Sequence, residues 1–303
     1  MTDLSSTMTV LEVRGGLLGF YDGRVPGYRA HGETPNWLDD GAISLGICSY
    51  ALIEGREALV YDTHASLAHA RRIRDRLTAM GAERIRVVLS HWHLDHVAGN
   101  EAFADCEIIA HEHTLEALRR RKAAIESGAQ EGPPAISPLI LPSTTYSGRM
   151  SLRVGSLEVE LRHVNIHSHD ATALYLPRER LLLAGDTLED TVTYVAEPDR
   201  LEDHLRDLAD MARWDISRIL PNHGGRERIA AGGYAPSLIQ ATERYVRRLL
   251  RCREDASLAG QGLRQFVAGE LDAGWIDYFE PYEAVHRRNV DLTLASGPPR
   301  GLG

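Results

Sequence analysis

The chain has 303 residues, 43% apolar and 25% charged, with a formal net charge of −9 at pH 7. This is the composition of an ordinary soluble globular protein, long enough for one large domain or two small ones. The acidic balance argues against nucleic acid as the main partner, because it repels phosphate backbones.

Residues 1–41 are irregular apart from Val10–Phe20, which can supply one or two short strands. Asp22–Asp40 is rich in Gly, Pro and polar residues and carries Tyr28, His31 and Trp37. A loop of that length either folds over a pocket or is a surface arm. Ser44–Ile53 and Ala58–Tyr61 flank Glu54-Gly55 as a hairpin. Ala65–Met80 carries Leu67, Ala70, Ile73, Leu77 and Met80 at helical spacing, with Gly81 as its stop. Arg84–Ser90 and Glu107–Ala110 read as strands, and Thr114–Ser127 as a helix capped by Thr114.

Gly128–Ser147 is a Pro-rich connection, either a lid or an ordered loop. Strands then follow at Ser151–Val154, Leu157–Val164, Thr172–Leu176, Arg180–Ala184 and Ser217–Leu220, with an amphipathic helix at Leu201–Trp214. Helices fill the rest: Ser237–Asp255, Leu263–Glu270 and Pro281–Ala295. The reading is one domain over 1–303, with N-terminal strands and loop at 1–41 and a helical extension at 237–303.

Cys48, Cys106 and Cys252 are odd in number and far apart, which disfavours a disulfide framework and fits a reducing compartment. Met1–Thr7 has no signal-peptide character, and no stretch reaches the length of a membrane span. The expectation is a cytoplasmic protein with no membrane partner. Arg119–Lys122 and Arg247, Arg248 and Arg251 sit at helical spacing, as solvated faces do.

The chemistry concentrates in His91-Trp-His-Leu-Asp-His96, directly after the apolar run ending at Ser90. Imidazole nitrogen and carboxylate oxygen are ligands for zinc and similar ions. In extended backbone His91 and His93 point to one side, and Asp95 and His96 follow where the chain must turn. One segment can thus serve two metals, His91 and His93 on one, Asp95 and His96 on the other. Six residues cannot supply all the ligands of two ions, so more are expected at strand ends. They are found in His167-Ser-His-Asp170, Gly185-Asp186-Thr187 and Pro221-Asn-His223-Gly-Gly225, each beside an apolar run.

Asp62, the His91–His96 motif, the third histidine region, Asp186 and His223, in this order, resemble the metallo-β-lactamase superfamily over roughly residues 44–225. The resemblance implies an α/β fold, a four-layer αβ/βα sandwich of two similar halves, here with extra C-terminal helices, and a dinuclear site at one edge. It implies that one metal takes His91, His93 and a third histidine, the other Asp95, His96 and His223. Asp186 would bridge them, and Asp62 would orient a ligand from behind. Many relatives carry Pro-Gly-His at the third position, whereas this chain has His167 and His169. Spacing back from Leu176, and a His-x-x-Asp variant formed with Asp170, select His167; His169 is the alternative. Tyr194, eight residues past Asp186, either donates to a developing oxyanion or simply packs.

Two Zn²⁺ ions are the expected cofactors, with iron or manganese also compatible. The expected reaction is hydrolysis of a small ester, lactone, thioester or lactam, a metal-bridging hydroxide attacking the carbonyl. An iron-dependent oxidoreductase on the same fold is the alternative, supported by the His-x-x-Asp variant. A small-molecule substrate is expected, and the C-terminal helices offer a surface for a homodimer. His64, His69 and His204 read as solvated, His111 and His113 as surface or capping residues, and His286 and Asn289 as a cap or surface pair.

Overall fold

Apolar residues on both sides of a strand require cover on both sides. In β4 (Glu57–Tyr61), Ala58 and Val60 join one apolar cluster while Leu59 and Tyr61 join the other. The neighbouring strands β3 (Ile47–Glu54), β5 (Arg84–Val88) and β6 (Glu107–His111) divide in the same way: Ile47, Val87 and Ile108 face one cluster, and Cys48, Val88 and Ile109 the other. The structure is a computed structural model; it describes residues 4–26, 29, 31–34, 36–38 and 43–296.

The first sheet runs β1 (Thr9–Arg14), β2 (Leu17–Asp22), β3, β4, β5, β6 and β7 (Thr144–Tyr146), in sequence order. It is antiparallel up to β4 and parallel from β4 to β7. The helix α1 (Leu67–Ala79) makes the crossover from β4 to β5, and α2 (Leu94–Val97) lies between β5 and β6. The helix α3 (Glu112–Ser127) follows β6. The second sheet contains β8 (Arg149–Val154), β9 (Leu157–Ile166), β10 (Ser168–Leu176), β11 (Leu181–Gly185) and β12 (Arg218–Pro221), ordered β12-β11-β10-β9-β8. Between β11 and β12 lies α4 (Leu201–Met211).

One core cluster spans both sheets, joining Tyr50, Tyr61 and Val88 to Val159, Leu161 and Leu183. The second lies on the outer face of the first sheet under α1 and α3. The result is two mixed sheets face to face with flanking helices, as the resemblance implies. After β12 come α5 (Arg226–Ala230), α6 (Ser237–Arg251), α7 (Ala256–Ala259), α8 (Leu263–Phe266), α9 (Ala268–Asp272) and α10 (Tyr282–Ala295). Leu238, Tyr245, Leu249, Phe266 and Tyr282 bury these helices against the second sheet's side of the core. Among the described residues no helix is long and apolar enough to cross a membrane.

Several local expectations change. The third helix starts at Glu112 rather than Thr114, with the His111 ring accepting from the His113 N–H as its cap. The 128–143 connection is an ordered loop held on α3: Leu139 donates to Glu126, Lys122 donates to the Leu139 carbonyl, and Ile136 and Leu139 enter the core. The Trp37 indole donates to the Pro134 carbonyl at 3.1 Å, so the two long loops meet. Tyr28 lies outside the described residues. His64, His69 and His204 are buried, not solvated, and so are His286 and Asn289. Their burial comes from distant elements: His69 Nε2 lies 2.7 Å from Asp22 Oδ2 and His286 Nδ1 3.1 Å from the Tyr245 hydroxyl.

Candidate metal centre

Strand β5 ends beside β6, where Leu89 donates to the Ile109 carbonyl. The next residue crosses to the other sheet, with Ser90 accepting from the Thr172 N–H at 2.7 Å. His91 is therefore delivered at the seam between the sheets. His93 remains extended (φ −62°, ψ 152°) before α2 begins at Leu94, placing Asp95 and His96 on the first turn. Gly99 lets α2 sit close to α1, since a Cβ there would stand 2.2 Å from the Thr63 carbonyl oxygen and 2.3 Å from Ala70 Cβ. Gly185, at φ 59°, turns the end of β11 tightly over Ser90 and Tyr61 and presents Asp186.

Asp186 Oδ2 is the centre of the arrangement. It lies 3.1 Å from His96 Nε2, 3.4 Å from His223 Nε2, 3.7 Å from His91 Nε2 and 3.8 Å from His167 Nε2. On one side His93 Nδ1 and His167 Nε2 face each other at 3.0 Å. On the other, Asp95 Oδ2 lies 3.3 Å from His223 Nε2 and 3.5 Å from His96 Nε2. The ligand-type atoms thus form two groups that could each hold an ion: His91, His93, His167 and Asp186, and Asp95, His96 and His223.

Backbone and polar side chains hold most of the imidazoles from behind. His96 Nδ1 donates to Asp62 Oδ2 at 2.9 Å, His167 Nδ1 to the Tyr194 carbonyl at 2.9 Å, and His223 Nδ1 to the Gly46 carbonyl at 2.9 Å. Each contact fixes the ring with its Nε2 facing the centre. Asp62 is itself fixed, accepting from the Ser90 N–H at 2.6 Å and from Asn222 Nδ2 at 2.6 Å. The Ser90 hydroxyl lies 2.9 Å from His91 Nδ1.

The donor set fits metal ions. His91 Nε2 and Asp186 Oδ1 are buried and have no hydrogen-bond partner. An unpaired buried polar atom is costly, and two of them aimed into one cluster point to a ligand. The electrostatics differ between the two groups. Burial alone would raise the Asp186 carboxyl, but His96 and His223 hold it well below the usual carboxylate range. Burial alone would lower His96, but Asp186, Asp95 and Asp62 raise it well above the usual range. His91 is depressed well below by burial and then by its neighbours His96 and His93. The carboxylates are kept ionised and His91, His93 and His167 are kept neutral, whereas His96 and His223 favour the protonated form beside Asp186 and Asp95 and would release a proton when an ion binds.

His169 turns away from this cluster, its ring on Glu197 and its N–H donating to Glu197 Oε2 at 2.9 Å. Asp170 Oδ2 accepts from the Trp92 N–H at 3.0 Å and Oδ1 from the Ser168 hydroxyl at 2.7 Å, so it braces the backbone between His91 and His93. Tyr194 contributes its backbone carbonyl to His167, while its ring lies under the Arg288 guanidinium, 4.3 Å from centroid to Cζ. Sequence reasoning missed Ser90, Asn222 and Glu189. Asn222, beside His223 in the Pro-Asn-His-Gly run, was the most accessible of these. Glu189 is buried, accepts from the Tyr194 N–H at 2.8 Å, and is pushed well above the carboxylate range by burial and by Asp186.

A third group, His111, His113 and His163, also gathers ring nitrogens. His111 and His163, however, stack with centroids 3.8 Å apart and planes 5° from parallel. An ion binds in the plane of an imidazole, so one ion cannot serve both rings of such a stack. His163 Nε2 is already spent on the His169 carbonyl at 2.7 Å.

A cleft of about 950 Å³ opens onto His93, Asp95, His167, Asp186 and His223. Its walls include Trp37, Trp92, Tyr194 and, from α10, Val285 and Arg288.

Residues 43–223 match the family model described as the metallo-beta-lactamase superfamily, and the chain belongs to that superfamily. Over 211 residues it is 31% identical to the 2,4-dinitroanisole O-demethylase subunit alpha of Nocardioides sp. (strain JS1661). That match covers 66% of this chain and 60% of the relative, so it spans less than two thirds of the relative's length. Among solved structures, a metallo-beta-lactamase family protein from Thermus thermophilus superposes with a TM-score of 0.61 at 18% identity, over 94% of this chain and 92% of that one. A metallo-beta-lactamase from Pontibacter korlensis gives 0.55 at 15% identity, over 77% and 99%. At such identities the structural likeness speaks for the fold alone.

Proposed function

We propose that the chain is a metal-dependent hydrolase with a two-ion centre. In this reading His91, His93 and His167 hold one ion, Asp95, His96 and His223 hold the other, and Asp186 lies between them. The convergence of four imidazole nitrogens on Asp186 Oδ2, within 3.1–3.8 Å, carries the reading. Two ions held by these residues would supply a strong nucleophile from water at neutral pH and polarise the bond under attack. Asp62, the Tyr194 carbonyl and the Gly46 carbonyl hold the His96, His167 and His223 rings with Nε2 toward the centre. The aromatic and apolar walls of the cleft bind the body of a small substrate and exclude bulk water.

The substrate class follows from an electrophilic carbon bearing an oxygen or sulfur leaving group: an ester, lactone or thioester, with a lactam as a further member. The relative named for O-demethylation of 2,4-dinitroanisole adds an activated aryl methyl ether, where water would give the phenol and methanol. The test is metal analysis of the purified protein with turnover measured on a panel of these classes. About two zinc per chain with hydrolysis of one class is expected. Bound iron with oxygen consumption and no hydrolysis would replace this reading with the oxidoreductase.

A further inference from the structure

We propose that the C-terminal helix α10 is a working part of the metal centre: Asn289, assisted by Tyr282, is a positioning residue that fixes His167 through the 186–197 loop. The proposal rests on the two-ion reading above.

His167 stands at the turn between β9 and β10. It sits at φ 70°, in the left-handed region that a residue with a Cβ rarely occupies. The Tyr194 carbonyl, 2.9 Å from Nδ1, is the contact that orients its ring; Glu189 Oε1 is farther, at 3.6 Å. Tyr194 lies in a segment with no helix or strand between Asp186 and Glu197. Such a segment holds an atom in place only if something else holds the segment.

That role falls to Asn289. Its side-chain oxygen accepts from the Val195 N–H at 2.9 Å, and its nitrogen donates to the Thr193 carbonyl at 2.9 Å. The amide thus pairs with the backbone on both sides of Tyr194. Its remaining N–H donates to the Tyr245 hydroxyl at 3.0 Å, which also contacts His286 Nδ1 at 3.1 Å. Tyr282 is seven residues earlier, two helical turns, and so on the same face of α10. Its hydroxyl donates to Glu189 Oε2 at 3.3 Å, and Glu189 Oε1 in turn holds the Tyr194 N–H. Arg288 covers the Tyr194 ring from the same helix. Asn289 and Tyr282 are both fully buried. A helix that served only to fill the core would need no amide here, since a buried polar group costs free energy unless it is paired.

The test uses the full chain loaded with zinc, with the affinity of each ion measured by chelator competition and the site probed by the absorption spectrum of the cobalt-substituted protein. Asn289→Leu is expected to weaken one of the two ions roughly tenfold, the low end for loss of an outer partner, and to leave the other unchanged. The cobalt spectrum should change for that ion alone. Tyr245→Phe removes a hydroxyl from the same core but leaves both bonds from Asn289 to the loop, and should keep parental affinity for both ions. If Asn289→Leu does not fold, Tyr282→Phe decides, with a smaller weakening of the same single ion expected. Parental affinity for both ions in the deciding variant overturns the proposal. So does equal weakening of both ions, shared by Tyr245→Phe. A parent protein that binds no zinc would instead remove the metal reading itself, and this inference with it.

Discussion

Two groups of gathered histidines in this protein have opposite character. Around Asp186 the rings meet edge-on or tilted: His91 with His93 at 71°, and His91 with His167 at 83°. Their nitrogens converge on a carboxylate, and His91 Nε2 is left unpaired. Around His163 there is no central carboxylate, two rings lie flat on one another, and a ring nitrogen is satisfied by a backbone carbonyl. Histidine density is therefore not a site. What separates the two clusters is where the lone pairs point and whether an anion sits among them.

Replacing the central anion should produce the largest effect. Asp186→Ala is expected to lower affinity for both ions by more than the roughly hundredfold that loss of an outer partner costs, and to abolish hydrolysis. Retention of two zinc by this variant, measured by metal analysis, would refute the assignment of Asp186. The next effect is metal removal. An ion present at a thousand times its dissociation constant stabilises the native state by about 4 kcal/mol, which for a chain of this size corresponds to roughly 6 °C in Tm. Dialysis against a chelator should lower Tm by that order, and added zinc should restore it. An unchanged Tm would mean that the Asp186 cluster behaves like the His163 cluster.

His204 sharpens the comparison from outside both clusters. It is buried with neither ring nitrogen paired, and burial, then His167, lowers it to about 4. Because the folded-state value lies below the unfolded one, its penalty is absent above pH 6.5 and grows as pH falls toward 4. The shift corresponds to about 3 kcal/mol once fully developed. His204→Leu should therefore lose less stability than the parent between about pH 7 and pH 4, as urea unfolding at both pH values would reveal. An identical acid-side loss in the two proteins would remove His204 as its cause. The smallest effect belongs to His163→Phe, which keeps a planar ring against His111. Zinc content should stay at the parental level and stability should change by about 1 kcal/mol or less. Loss of an ion in this variant would erase the distinction between the clusters.

Although it missed β7 inside the 128–147 connection and began β10 at Thr172 rather than Ser168, the sequence alone determined most of the sheet strands and the residues that line the candidate centre. That was possible because β-strands buried on both faces leave continuous apolar runs, and because ligand-type residues stand directly at the ends of those runs. Asp62, His91, His93, Asp95, His96, Asp186 and His223 were all legible in this way. His167 and His169 were separable only by spacing, and the different partners of the two rings emerge from the tertiary structure. The fold also decided what no local pattern carries: that His64, His69 and His204 lie inside, that His111 stacks on His163, and that the backbone carbonyls of Gly46 and Tyr194 orient two of the imidazoles. A carbonyl has no sequence signature, and burial depends on what packs above a residue. For the same reason Asn289, 122 positions beyond His167, reads from sequence as a cap or surface residue, and only the packing of α10 against the 186–197 loop places its amide between Thr193 and Val195.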